Sequence, residues 1–246
     1  MSWVSILPAL IVTGALLFLP GLLLGFLLRL RGMRLLALAP ALSVSLVAVA
    51  ALAAPFVGIR WSILPVLILT AVAAVAAYFW SKHVGKPALL RQSSNARQLV
   101  AVIVSIVVPA LLIAFVLVRS MHDPEFFSQR YDNFFHLNAV QYVLDTGNAS
   151  PLWLGSMTSP AGVPFYPSGW HAMVSIIVAL SGASVPLASN AMIIVVAAVV
   201  WPIGAVFLVR ELLGRNQILT VIAGALAAAF PAFPFLLLHY LSLIHI

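Results

Sequence analysis

The heptapeptide Arg130-Tyr131-Asp132-Asn133-Phe134-Phe135-His136 sets a guanidinium, a carboxylate and an imidazole side by side in an otherwise apolar chain. On a helix, Asp132 and His136 fall within about 40° of one another, so both can face one ligand. A carboxylate among Tyr131, Phe134 and Phe135 is expected to lose part of its hydration, which suits a general base. His136 can hydrogen-bond Asp132 or help to bind a metal or a phosphate, and Arg130 can neutralise a substrate phosphate. The plainer reading is that Asp132, a preferred capping type, only caps the helix. The Asp123-Pro124-Glu125 pair of acids could ligate a divalent cation through oxygen, but Pro124 between them reads as a turn with solvated carboxylates. Asp145 shares a second polar strip with Asn138 and Gln141 and reads as structural. His171 follows Tyr166-Pro167-Ser168-Gly169-Trp170, and by residue type alone this is an interfacial aromatic belt containing a histidine. His83 and His239 have no evident partners. No P-loop, dinucleotide fingerprint, zinc motif or nucleophile elbow is present.

These residues need a frame, and the composition says which kind. Hydrophobic residues make up 64% of the 246-residue chain and charged residues 7%, against about 25% charged in soluble domains. The chain is therefore expected to be an all-α, polytopic integral membrane protein. At about 20 apolar residues per span it has room for about seven transmembrane helices. The net charge of +7 is spread in short clusters between apolar runs, which suits contacts to anionic lipid rather than nucleic acid. The absence of cysteine excludes disulfides, thiolate metal sites and cysteine nucleophiles. No basic region precedes the first apolar run, so a retained span is expected rather than a cleaved signal peptide.

Four spans are expected at about Trp3–Leu28, Leu35–Val57, Trp61–Trp80 and Leu99–Val118. The intervening loops carry Arg29, Arg31 and Arg34, then Arg60 alone, then Lys82, Lys86, Arg91 and Arg97. That alternation puts the first and third loops in the cytoplasm and the 119–171 loop outside. Four of the chain's five acidic residues lie in this loop. Tyr131 to Asp145 lacks Gly and Pro and reads as an interfacial helix closed by Thr146-Gly147-Asn148. Pro151, Trp153, Pro160, Pro164, Tyr166 and Pro167 then suggest an irregular return. A short fifth span is expected at Ser168–Leu180, a sixth at Leu187–Val209, and a seventh from Asn216 past Pro231 and Pro234. Strict alternation then puts Arg210 to Arg215 outside, against the charge bias, unless span five fails to cross. Residues 1–98 read as an N-terminal three-span region and 99–240 as the region containing the loop. The ending Leu241-Ser242-Leu243-Ile244-His245-Ile246 reads as a non-native tail, with the natural chain expected to continue past about residue 240.

The order of features from Arg119 to Arg215 resembles the front end of the GT-C superfamily of membrane glycosyltransferases, which use lipid-phosphate-linked sugars. The features are Tyr131-Asp132-Asn133-Phe134-Phe135-His136, Val143-Leu144-Asp145-Thr146-Gly147, Phe165-Tyr166-Pro167-Ser168-Gly169-Trp170-His171, Ser181-Gly182 and Val209-Arg210-Glu211-Leu212-Leu213-Gly214-Arg215. The chain is also similar to uncharacterised actinobacterial membrane proteins that share this loop. The resemblance covers roughly residues 99–235. It implies a bacterial plasma-membrane enzyme, represented here by its N-terminal part, with the 119–171 loop extracytoplasmic and a late basic loop outside.

The resemblance further implies transfer of a sugar from a polyprenyl-phosphate donor to a cell-envelope glycan or lipid acceptor. Asp132 would be the general base, with His136 orienting it or a divalent cation. Arg130, Tyr166 and His171 would bind the donor. Three spans before the loop and the lack of an obvious second acid depart from the family's pattern. Two other function classes stay open. A transporter or lipid flippase needs ionisable groups near the midplane of the bilayer, and the expected spans hold only scattered Ser, Thr and Asn, such as Ser43, Ser45, Ser105 and Asn190. A non-catalytic scaffold would use the loop as a docking surface.

Overall fold

A computed structural model of the chain describes residues 2–84, 95–158, 161, 164–230 and 234–235. Lys86, Arg91, Pro160, Pro231, His239 and the 241–246 tail lie outside the described residues. The described fold is all-α. Its helices are α1 (Leu7–Leu27), α2 (Gly32–Ala53), α3 (Ile63–His83), α4 (Ala96–Met121), α5 (Tyr131–Thr146), α6 (Gly169–Ser181), α7 (Val185–Val195), α8 (Trp201–Leu212) and α9 (Gln217–Ala229). A π-helical segment, Val196–Val200, joins α7 to α8 in one continuous rod.

Five helical stretches are long and apolar enough to cross a bilayer: Trp3–Leu27, Gly32–Val57, Ile63–His83, Ala96–Met121 and Val185–Leu212. The protein is a multi-pass membrane protein, with five such spans among the described residues against the seven expected of the whole chain; the expected seventh span runs past Ala229 into residues outside those described. The described parts of the other two expected spans, α6 and α9, are each 13 residues long. At ~1.5 Å per residue they reach only about 20 Å, short of the roughly 30 Å hydrocarbon core.

Contacts between the ends of the helices sort them onto two faces. On one, the Arg29 guanidinium donates to the Ser81 carbonyl and, at 3.2 Å, to that of Val84, tying the α1–α2 turn to the end of α3. Arg34 at the start of α2 grips Glu211 at the end of α8 through bonds of 3.0 and 2.7 Å. Arg29, Arg31, Arg34, Lys82, Arg210 and Arg215 therefore share this basic face.

The other face carries the loop. Trp61, just before α3, donates its backbone N–H to the Gly147 carbonyl at the end of α5. Its indole Nε1 donates to Ser175 Oγ on α6 at 3.0 Å. Asn190 on α7 donates to the Pro124 and Phe126 carbonyls at 2.8 and 2.7 Å. Ser184, just after α6, donates to Glu125 at 2.7 Å.

Both ends of α6 thus lie on the loop face: its first turn packs on α5, and the chain leaves it beside Glu125. The expected span Ser168–Leu180 does not cross. Arg210 to Arg215 consequently joins the other basic turns, and the late basic loop expected on the outer side is corrected to the opposite face from the 119–171 loop.

Small residues set the closest approaches. A Cβ at Gly21 on α1 would lie 1.9 Å from the Ala39 carbonyl oxygen of α2, so only glycine permits that crossing. Ser43 Oγ accepts the Gly21 N–H there at 2.8 Å, an extra interhelical bond in the turn that follows Pro20. The core centres on α6 and α7, whose residues from His171 to Ile177 and from Leu187 to Val195 are all buried.

Candidate functional site

The site is built where α5 lies against the first turn of α6. Helix α5 begins after Arg130, whose backbone is extended, and ends at Gly147 with a left-handed φ of 65°. That Gly147 conformation disfavours any side chain, and the Arg60 guanidinium packs against it, so a Cβ would come within 2.7 Å of Arg60 Nε. Between these ends, Asn133, His136, Ala139, Val140 and Val143 form the buried stripe. The stripe has the spacing of one helix face. The opposite strip is polar as expected: Gln141 donates to Asp145 at 2.8 Å on the exposed side.

His136 and His171 meet across the α5–α6 seam. His136 Nδ1 and His171 Nε2 are 2.8 Å apart, and the rings stack with centroids separated by 5.0 Å. One nitrogen of the pair must carry the shared proton and the other must accept it. Phe135, Tyr166 and Trp170 close around them: Tyr166 lies 4.5 Å from Phe135 between ring centroids, and Trp170 meets His136 edge-on at 5.8 Å. The Tyr166 backbone N–H donates to the Pro151 carbonyl, which fixes the irregular return segment over α5.

This enclosure decides the charge state. Burial lowers the His136 pKa, against the pull of the Asp132 charge, which raises it. Burial lowers that of His171 to about 3, assisted by His136 and opposed by the Pro167 carbonyl. His171 Nδ1 is buried without a hydrogen-bond partner. Both imidazoles are therefore neutral at neutral pH. The Tyr166 pKa is raised by burial and by the Asp132 charge, which keeps the phenol protonated.

Asp132 stands at the rim of this cluster. It is an acid in the first turn of α5, not the N-cap, and the N-cap residue Arg130 makes no side-chain capping bond. A carboxylate there is favoured by the positive end of the helix. It is exposed, and the aromatic cover expected from its neighbours does not form. Tyr131 points outward, 93% exposed, and Phe134 turns away to meet Phe127 edge-on at 6.2 Å. Arg130 is exposed beside it.

The structure thus brings together His136, His171 and Tyr166, with Asp132 within electrostatic reach. His171 is 1% exposed, so its ring reaches a bound donor only through its neighbours.

The acids upstream are tied into the fold. Asp123 Oδ1 accepts the Glu125 N–H at 2.8 Å, and Glu125 holds Ser184. Among the described residues, no group of three or more His, Cys, Asp or Glu side chains is set to hold a metal ion. The residues that the sequence did not single out are Trp61, Ser175 and Asn133. By sequence Trp61 is only the first residue of the expected third span, and its bond to Ser175 reveals that it clamps α6. Asn133 is fully buried and donates to the Ser128 carbonyl at 2.9 Å, which holds the approach to α5 in place.

Residues 14–244 match the model of a family of unknown function, DUF6541, and the chain belongs to that family. No curated protein and no solved structure matches it.

Proposed function

We propose that this member of DUF6541 is a membrane glycosyltransferase of the GT-C type, using a polyprenyl-phosphate-linked sugar and a glycan or lipid acceptor of the cell envelope. The observation that carries this reading is the exposed Asp132 carboxylate at the rim of the neutral His136–His171 pair and Tyr166. The acceptor hydroxyl oxygen attacks the anomeric carbon of the sugar, and the bond from that carbon to the phosphate oxygen breaks. The hydroxyl proton passes to Asp132, and polyprenyl phosphate departs. A general base must be exposed to reach the acceptor, and Asp132 is exposed in the first turn of α5. Arg130, beside it on the same loop, supplies positive charge to the departing phosphate. Tyr166 keeps its proton and offers a hydroxyl to the sugar or phosphate. His136 and His171 are positioning residues here, holding α5 and α6 in register beneath Asp132. In this reading the 119–171 loop faces outward and the basic face meets the bacterial cytoplasm.

Asp132→Ala is expected to abolish label transfer from radiolabelled polyprenyl-phospho-sugars in membranes, with expression and insertion retained. Unchanged incorporation in that variant would overturn the assignment.

The scaffold reading has one observation in its favour. Phe126, Tyr131, Phe134 and Phe165 are all exposed on the loop face, an aromatic surface of the kind that also serves docking. Label transfer by the wild type separates the two. The transporter reading gains less. Thr13 and Ser105 inside the spans are engaged with helix backbone, donating to the Ala9 and Ala101 carbonyls, both at 2.6 Å, while Thr70 Oγ1 on α3 is buried without a partner.

A further inference from the structure

We infer that the seam between α8 and α9 is a binding site for an anionic phospholipid of the leaflet that meets the basic face. Between these helices lies a groove of about 410 Å³ whose lining is wholly apolar; it includes Val196, Gly204, Leu208, Ala223, Leu226 and Phe230. It sits inside the Val185–Leu212 span, where the surrounding solvent is hydrocarbon. From Val196 to Val209 it runs roughly 20 Å along the helix axis. Half of the ~30 Å hydrocarbon core is about 15 Å, so the groove matches the depth of one leaflet and one lipid chain. Two hydrogen bonds tie α8 to α9 along the seam. Trp201 Nε1 donates to the Ala227 carbonyl at 2.8 Å at its deep end, and Arg210 donates to Thr220 Oγ1 at 3.2 Å nearer the α8–α9 turn. Gly204 adds to the space, since a Cβ there would meet nothing within 4 Å.

The mouth says which lipid. The seam ends at the α8–α9 turn, which Arg210 and Arg215 flank without lining the groove itself. Arg215 and Glu211 are within electrostatic reach of Arg210. Glu211 is the only carboxylate among them, and the bidentate grip of Arg34 engages both its oxygens. Arg210 and Arg215 thus present an excess of positive charge at the end of an apolar groove. A phosphate headgroup bearing a net negative charge fits that mouth while one of its chains fills the seam. The site lies on the face opposite Asp132 and does not depend on the glycosyltransferase reading.

The test is lipid retention. Protein reconstituted in equal phosphatidylglycerol and phosphatidylcholine, then stripped with detergent, is assayed for bound lipid by mass spectrometry. Wild type is expected to retain phosphatidylglycerol in preference. Arg210→Gln and Arg215→Gln should each reduce that preference by about fivefold, the factor one basic residue contributes at a membrane surface. Lys82→Gln, on the same face but at the end of α3, should leave it unchanged. Gly204→Leu should fill the groove and lower retention of both lipids, with Ala205→Leu as the second filling variant should the first fail to fold. A wild type without preference, an equal loss in Lys82→Gln, or unchanged retention in a folded filling variant would each overturn the site.

Discussion

The His136–His171 pair is neutral because the aromatic enclosure leaves a protonated imidazole no water to share its charge. That costs the protein stability in acid, and the sign follows from the direction of the shift. In the unfolded chain each histidine titrates near its ordinary value of about 6.5. In the fold His171 is lowered to about 3. Its contribution is therefore complete above pH ~6.5 and is lost progressively as pH falls toward 3, because the unfolded chain binds the proton more readily. For a fully buried group the loss approaches ~1.4 kcal/mol per pH unit in that window. Thermal unfolding in detergent should show a falling midpoint between pH 6.5 and 5, and His171→Gln should flatten the slope. An unchanged slope in that variant would show that other groups set the acid limit. The pair itself was only half legible in the sequence. His136 was placed on the Asp132 side of α5 by helical spacing, but its partner lies 35 residues away, and nothing in the apolar pattern of 168–180 indicates which way His171 points.

Between elements, a few side-chain bonds to backbone supplement the core that Ala139, Val140, Val143 and Leu154 share with α6 and α7. Asn190 is the clearest of these. It is 3% exposed and spans from α7 to the turn after α4 through the Pro124 and Phe126 carbonyls. Asn190→Leu would strand those acceptors and is expected to cost about 2 kcal/mol. Proteolysis should then begin at 122–130 at temperatures where wild type resists; equal cleavage of both would show that the tie carries no weight. Helix α5 was legible because its own residues settle it: no Gly or Pro from Tyr131 to Asp145, polar residues repeating at helical spacing in two strips, and Gly147 to end it. The Asn190 tie was invisible for the converse reason. An asparagine in an apolar run marks a buried polar group in search of partners, but not which carbonyls it finds. Helix α6 misled for a related reason. Its hydropathy is that of a span, and only its docking on α1, α2 and α5 shows that its apolar surface is covered by protein rather than lipid.

For the molecule as a whole, that docking fixes the topology, and the difference is measurable because the chain has no cysteine of its own. Three single cysteines decide it: Tyr131→Cys at the start of α5, Ala183→Cys after α6, and Leu213→Cys after α8. Tyr131 and Leu213 are 93% and 63% exposed, so both should label freely. With five spans, Tyr131→Cys and Ala183→Cys lie on one side and Leu213→Cys on the other. With seven spans crossing in strict alternation, Ala183→Cys moves to the opposite side from Tyr131→Cys and Leu213→Cys rejoins it. A membrane-impermeant maleimide applied to intact cells separates the two arrangements. The expected absolute orientation follows the charge bias, by which Lys- and Arg-rich loops are held on the cytoplasmic side. Tyr131→Cys and Ala183→Cys are therefore expected to react in intact cells, and Leu213→Cys only after permeabilisation. Labelling of Leu213→Cys alone would keep the five-span fold and reverse its orientation, placing Asp132 in the cytoplasm and removing the basis for an extracytoplasmic lipid-linked donor. Labelling of Tyr131→Cys and Leu213→Cys without Ala183→Cys would mean that α6 crosses after all, against both its 13-residue length and the bond from Ser184 to Glu125.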